Sequence, residues 1–429
     1  MSIKNLSSRL KWDSFTYFIG RIVPAALSFC SISVFIKLLG EKIYGEYTLI
    51  MSLSLIVSNI SGGWLTQSIL RYQSSFHLKH AYKKYIYTLN FSMLQSLVVA
   101  VFTVGILSYI NFRDLGKFIA SIFIVASQVI YMVVFSQQQA LLSSRKILIA
   151  ETLRAIIGFL LPLGAVFTLK NHSYFLLLLG VIAGNILGFI IIDTNFSFLS
   201  RSWNATKQYS SRLSNYLWAY GWPMAAWAGT ATSLNVVDRY IIGWLVDVQS
   251  VGIYSAVYDV IYKSLNLLLT PILLAAHPMI VREWNTGNIT EAKKLIRQAL
   301  LFQICISFIF ILVISNNNIT LIKFVLGRND EVASMLIFPV ALGAVIWQTT
   351  MLLHKPLELE KKTRLLLLFC IISLITNIIL NIILIPLFGY VAASYTTLAS
   401  AVLYIVLILL YKSIVQVLKR SAQSKKIHT

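Results

Sequence analysis

Charge is what this chain has least of. Only 12% of its 429 residues are Asp, Glu, Lys or Arg, against about 25% in soluble domains. Acidic side chains are the scarcer kind, 15 against 36 Lys and Arg, so the formal net charge is +21. With 58% hydrophobic residues and a mean hydropathy of +0.77, the chain carries more apolar surface than a water-facing shell can hide. Soluble enzymes, secreted disulfide scaffolds and nucleic-acid-binding domains are therefore set aside. Cysteine is nearly absent too. Cys30, Cys305 and Cys370 form no CxxC and no Cys/His cluster, and read as ordinary core residues. No Walker sequence, zinc-type cluster or nucleophile elbow occurs, so no ATP, metal or other cofactor is expected and no enzymatic chemistry is indicated. The six histidines, His77, His80, His172, His277, His354 and His428, fall at span edges and loops and read as interfacial or solvated.

What the chain does have is apolar length. Runs able to cross about 30 Å of hydrocarbon need ~20 residues. They occur near 14–38, 44–66, 86–110, 117–140, 148–169, 174–194, 216–245, 252–277, 295–315, 332–353, 364–385 and 390–411. These runs are continuously apolar and do not alternate as barrel strands do, so the class is an all-α membrane protein with twelve helices. The first run exceeds the core of a cleaved signal and reads as a retained helix. Twelve spans put both termini on one side. Of the 36 Lys and Arg, 26 lie in connections on that side and 7 on the other; Arg21, Arg239 and Lys263 lie within spans. Arg145, Lys146 and Arg154 are assigned to the connection 142–154 in this sorting. The positive-inside rule makes both termini cytoplasmic. The basic charge is thus a topology signal, with attraction to anionic membrane lipids as a secondary effect; no nucleic-acid partner is needed.

The chain divides six plus six around the basic connection Asn195 to Asn215, giving an N-terminal lobe 1–206 and a C-terminal lobe 207–429. Two segments match at an offset of 207: Tyr44-Gly45-Glu46-Tyr47 and Val251-Gly252-Ile253-Tyr254, each after a Leu-rich span end and an acid, Glu41 or Asp247. A parallel repeat of this kind is the usual construction of transporters that rock two halves about a central site. Further motifs are Leu39-Gly40-x3-Tyr44-Gly45-x-Tyr47, Trp64-x6-Arg71-Tyr72, Asp238-Arg239-Tyr240, and Asn377-x3-Asn381-x4-Pro386-x2-Gly389-x2-Ala392-Ala393. Together, and end to end, they resemble a polysaccharide flippase of the multidrug/oligosaccharidyl-lipid/polysaccharide exporter superfamily, of the O-antigen type. The resemblance implies a V-shaped pair of six-helix lobes in the bacterial inner membrane. It also implies transfer of an undecaprenyl-diphosphate-linked oligosaccharide from the cytoplasmic to the periplasmic leaflet. Other surface-polysaccharide assembly proteins are candidate partners. Two rival functions are an ion-coupled drug antiporter of the same superfamily and a membrane glycan polymerase. A polymerase would be expected to carry a long catalytic periplasmic loop, which the sequence lacks.

Charges inside spans cost about 2.5–3.5 kcal/mol at a helix centre, so they usually face a bundle interior or water. Arg21 is read as a lumen cation for diphosphate, or as an arginine snorkelling to headgroups. Asp259 and Lys263 stand four apart on one helical face, either as a self-neutralising pair or as a coupling acid beside a phosphate cation. Asp238 and Arg239 are adjacent, point about 100° apart and need different partners. Arg239 is a second candidate lumen cation and Asp238 a second candidate coupling acid. Arg71, at the end of span two, is a phosphate-loading contact or a positive-inside anchor. Trp218, Trp222, Tyr258 and Tyr262 are candidate sugar-facing aromatics, with interfacial belts and helix packing as the alternatives. Pro24 and Pro223 interrupt the opening helix of each half and mark candidate hinges.

Overall fold

A computed structural model describes residues 23–77, 82–141, 143–169, 172–193 and 209–427. Among these residues every regular element is helical. The first half holds α1 Val23–Leu39, α2 Glu41–Ser61, α3 Gly63–His77, α4 Tyr82–Phe112, α5 Leu115–Ala140, α6 Ser144–Leu169 and α7 Tyr174–Ile192. The second holds α8 Ser211–Leu245, α9 Val248–Asn285, α10 Ile289–Asn316, α11 Asn318–Leu326, α12 Glu331–Ser334, α13 Ile337–Leu353, α14 Lys355–Leu359, α15 Thr363–Phe388 and α16 Ala392–Ile427.

Nine stretches among the described residues are long and apolar enough to cross a bilayer. The last, Thr363–Ile414, is two spans, because Gly389 turns the chain at φ +67°, a left-handed conformation that favours glycine. Adding α1 and the 35-residue α8 gives the twelve spans expected from hydropathy. α8 is the more polar span, carrying Asn235, Asp238 and Arg239. The longest far-side connection, between α10 and α12, contains the short helix α11.

The described helices fall into two compact units. Unit 1 takes the described residues up to Gly243 with Asp247–Ala256 and Val325–Gly327; unit 2 takes Trp244–Val246, Val257–Phe324 and the described residues from Arg328. Within unit 1, α2 is broken from α3 at the Gly62-Gly63 pair. Its buried residues include a series of small polar ones: Thr48, Ser54, Ser58 and Ser61 return their hydroxyls to carbonyls three or four residues back. Such residues let membrane helices approach closely without stranding a polar group. Close approach of this kind also joins α7 to α6 and α5. Gly180, Gly184 and Gly188 recur every four residues, and a methyl added at each would lie 2.4 Å from Pro162, 2.8 Å from the Arg154 carbonyl oxygen and 2.6 Å from the Tyr131 ring.

Three expectations are corrected. Arg154 belongs to the interior of α6, not to the preceding connection, because that helix begins at Ser144 and Arg154 finds its partners in Glu151 of α6 and Asn185 of α7. The basic asymmetry survives the reassignment. Of the cysteines only Cys370 is buried; Cys30 and Cys305 are exposed on their helices, as apolar residues facing lipid are. His354 likewise proves to be buried, against Tyr404.

Candidate functional site

In membrane helices a buried polar group needs a partner or a purpose, since each unsatisfied one costs several kcal/mol. Unit 1 holds three such groups of residues. The first is the Asp238-Arg239-Tyr240 run near the end of α8. Asp238 is fully buried, and its Oδ2 accepts from the Tyr254 hydroxyl at 2.6 Å. Arg239 is 5% exposed and directs one Nη toward Ser52 Oγ of α2 at 3.4 Å. The Tyr240 hydroxyl donates to the Leu49 carbonyl at 2.5 Å. Asp238 and Arg239 thus reach different helices, α9 and α2, in keeping with their 100° offset.

That arrangement depends on how tightly α2 and the start of α9 meet. A methyl at Gly45 would stand 2.1 Å from the Val248 carbonyl oxygen, and one at Gly252 1.9 Å from that of Glu41. The two glycines matched by the 207-residue offset therefore face each other across one reciprocal contact. Around it, Gln249 Nε2 donates to Glu41 Oε2 at 2.7 Å, Lys117 pairs with Glu46 at 2.9 Å, and Asp247 caps α9 through the Ser250 amide.

The second group lies where α3 meets the start of α8, at the end of unit 1 that carries the basic connections. Arg71 is exposed, with its guanidinium 5.9 Å from the centroid of the Tyr220 ring. Tyr72 lies between Tyr216, at 5.0 Å, and Tyr220, at 5.3 Å. Trp218 packs edge-on against Trp64 at 5.0 Å yet stays 50% exposed, while Trp222 is half-buried. Pro223 is buried within α8. Beside it, Gly221 approaches so closely that a methyl would lie 2.1 Å from the Trp64 carbonyl oxygen. The Ser68 hydroxyl closes the contact by donating to the Leu217 carbonyl at 2.7 Å.

A third group joins α5, α6 and α7. The Tyr131 hydroxyl donates to Glu151, Glu151 pairs with Arg154 at 3.1 Å, and Arg154 reaches Asn185 at 3.4 Å. Sequence reasoning passed over it, although an acid and an arginine three apart in an apolar run were the available signal.

Unit 2 contributes a buried aromatic chain. Tyr258 is buried and its ring stacks on the half-buried Tyr262 at 5.6 Å, so its ring is occupied in packing. The Trp347 ring packs on the Tyr404 ring at 5.5 Å. Asp259 and Lys263 are half-buried on the same stretch of α9. Across the Gly389 turn, Asn381 donates to Asn377 Oδ1 at 3.0 Å and accepts from the Thr396 hydroxyl at 2.5 Å, all three being buried. Among the described residues no three His, Cys, Asp or Glu side chains converge as metal ligands. Arg21 lies outside the described residues, as does the 206/207 boundary. Pro24 lies within α1.

A family model described as polysaccharide biosynthesis protein matches residues 10–284, which spans all three groups of unit 1. The chain belongs to this polysaccharide biosynthesis family. A second model, MatE, matches residues 223–383. Similar solved structures include an inward-facing multidrug resistance MATE family transporter of the MOP superfamily. It has a TM-score of 0.70 at 11% identity, covering 94% of this chain and 99% of the other. The lipid II flippase MurJ in an inward closed conformation gives 0.67 at 13% identity, over 92% and 87%. A Vibrio cholerae MATE transporter gives 0.63 at 13%, over 96% and 98%. No protein of curated function matches the chain by sequence. The polysaccharide biosynthesis family member is thus a multi-pass membrane protein with the fold of MOP-superfamily transporters and flippases.

Proposed function

We propose that the protein is a flippase that moves an undecaprenyl-diphosphate-linked oligosaccharide, such as an O-antigen repeat unit, across the bacterial inner membrane to the periplasmic leaflet. The observation that carries this reading is the coincidence of a polysaccharide-making family with an exporter fold. A family that builds polysaccharide needs an exporter only for a precursor made on one side and used on the other. A headgroup rich in hydroxyls cannot cross hydrocarbon unaided. A shielded polar route with cations for the diphosphate removes that barrier while the polyprenyl tail stays in lipid.

In this reading the two lobes, 1–206 and 207–429, exchange access by alternating between inward and outward states. Arg21, Arg71, Arg239 and Lys263 serve the diphosphate, Pro24 and Pro223 act as hinges, and Trp218, Trp222 and Tyr262 meet sugars. Tyr258 is the weakest of the aromatic candidates, being buried against Tyr262. An inside-negative potential favours export of an anion by about 2.3 kcal/mol per charge per 100 mV. Asp259 and Asp238 are the acids that counter-ion coupling would use. Deleting the gene and resolving surface glycan on a gel tests the reading: loss of polymer, restored by the wild-type gene, is expected. Unchanged glycan together with sensitivity to cationic drugs would select the antiporter instead, the reading that the MatE match over 223–383 favours.

A further inference from the structure

The third polar group of unit 1 has an imbalance that packing alone does not explain. Arg154 lies ten residues into α6, about 15 Å along the axis at 1.5 Å per residue. Tyr131 and Asn185 lie nine and seven residues from the ends of α5 and α7 on the same side, so the cluster forms one layer at membrane depth. Its face of α6 is turned inward, with Ile147, Ala150, Pro162 and Val166 buried on either side.

The carboxylate of Glu151 is well supplied. One oxygen accepts from Tyr131 and the other from Arg154. The guanidinium is not. It offers five N–H donors. One Nη meets Glu151 at 3.1 Å and the other meets Asn185 only at 3.4 Å, while the buried Nε–H has no acceptor. Asn185 offers the guanidinium only its Oδ1, since its amide nitrogen is a donor, here to Ser127 at 3.1 Å. The Tyr131 ring holds the guanidinium from one face at 4.9 Å, and the side chain is still 37% exposed. A self-neutralising structural pair would be closed and satisfied. This one is partly exposed, and its Nε–H is short of an acceptor.

We infer that Arg154, oriented by Glu151 and by the Tyr131 ring, binds a phosphate oxyanion of the lipid-linked substrate. A planar, permanently charged fork with free donors is suited to phosphate oxygens, and a point charge is a poorer match. The inference rests on the flippase reading and adds to it a contact inside unit 1. Glu151 both aims the guanidinium and competes with the ligand for it.

The test uses full-length protein in phosphatidylcholine nanodiscs, with bound lipid counted by native mass spectrometry. Undecaprenyl diphosphate, undecaprenol and phosphatidylglycerol are the probes. Wild-type protein is expected to bind the diphosphate and not the alcohol. Arg154→Gln is expected to weaken the diphosphate about tenfold or more, and Arg154→Lys to recover only part of it. Glu151→Gln, which removes the competing carboxylate, is expected to bind several-fold tighter. Should Arg154→Gln fail to insert, Glu151→Gln and Arg154→Lys still decide. Wild-type affinity for the diphosphate in both, or in Arg154→Gln, would overturn the inference while leaving the flippase reading standing. An effect of Arg154→Gln on phosphatidylglycerol alone would overturn the substrate contact and make the site a phospholipid headgroup site. No diphosphate binding by wild-type protein would overturn both.

Discussion

The reciprocal contact between Gly45 and Gly252 yields the sharpest prediction. A methyl at Gly45 would stand 2.1 Å from a backbone oxygen of Val248, and at Gly252 1.9 Å from one of Glu41. Real methyls essentially never approach within 3.0 Å, so either alanine requires α2 and the start of α9 to part by about 1 Å. The obstacle is main chain, so no rotamer change relieves it. Overpacking of this kind costs about 1–3 kcal/mol, and occasionally more. Gly45→Ala and Gly252→Ala should therefore each lower the Tm of purified protein in detergent and reduce surface glycan. The double variant should cost clearly less than the two singles combined, because one separation of the helices relieves both clashes. Gly164→Ala, inside α6 with nothing within 4 Å of an added methyl, is the control. It should be neutral or stabilising, by up to about 1 kcal/mol. If the singles melt like wild type, or the double is strictly additive, the geometric argument is wrong.

Asp238→Leu strands the Tyr254 hydroxyl and should lower thermal stability by about 1–3 kcal/mol, whereas Asp238→Asn keeps an acceptor and should recover most of it. Asn381→Leu leaves Asn377 and Thr396 without their partner and should destabilise by a similar about 1–3 kcal/mol, read as a Tm loss in detergent. Arg71→Ala, at an exposed position, should leave melting unchanged but lower surface glycan several-fold, with Arg71→Lys intermediate; equal glycan in all three reduces Arg71 to a topology anchor. Exchanging Asp259→Lys with Lys263→Asp separates two roles. The coupling-acid reading expects lasting loss of surface glycan with normal insertion, and restored glycan would make the two residues a structural pair.

How much was legible in advance differs sharply between levels. The twelve spans, including the division at Pro386 and Gly389, were readable because hydropathy and turn residues act locally. The offset repeat was readable as a pattern, but nothing in it said that Gly45 and Gly252 would touch. Asp238 and Arg239 were recognised as needing separate partners, yet Tyr254 and Ser52 could not be named from spacing. Glu151 and Arg154 were passed over for a definite reason: the basic connection was drawn to 154, overlapping the span from 148, so Arg154 was counted as loop, where it looked ordinary. Tyr131 and Asn185 carry no sequence signal of their own, since an isolated tyrosine or asparagine in an apolar run usually packs.

Sequence alone determined that this chain lives in a bilayer, how many times it crosses and which ends carry the positive charge. Those properties are sums over neighbouring residues, and the bilayer reads them segment by segment. Tertiary structure decided which polar groups are satisfied and which are left wanting. A hydrogen bond between α5 and α6, or a glycine facing another some two hundred residues away, exists only once helices pack. The shortage of acceptors at Arg154 belongs to that second kind, because it is set by three helices together.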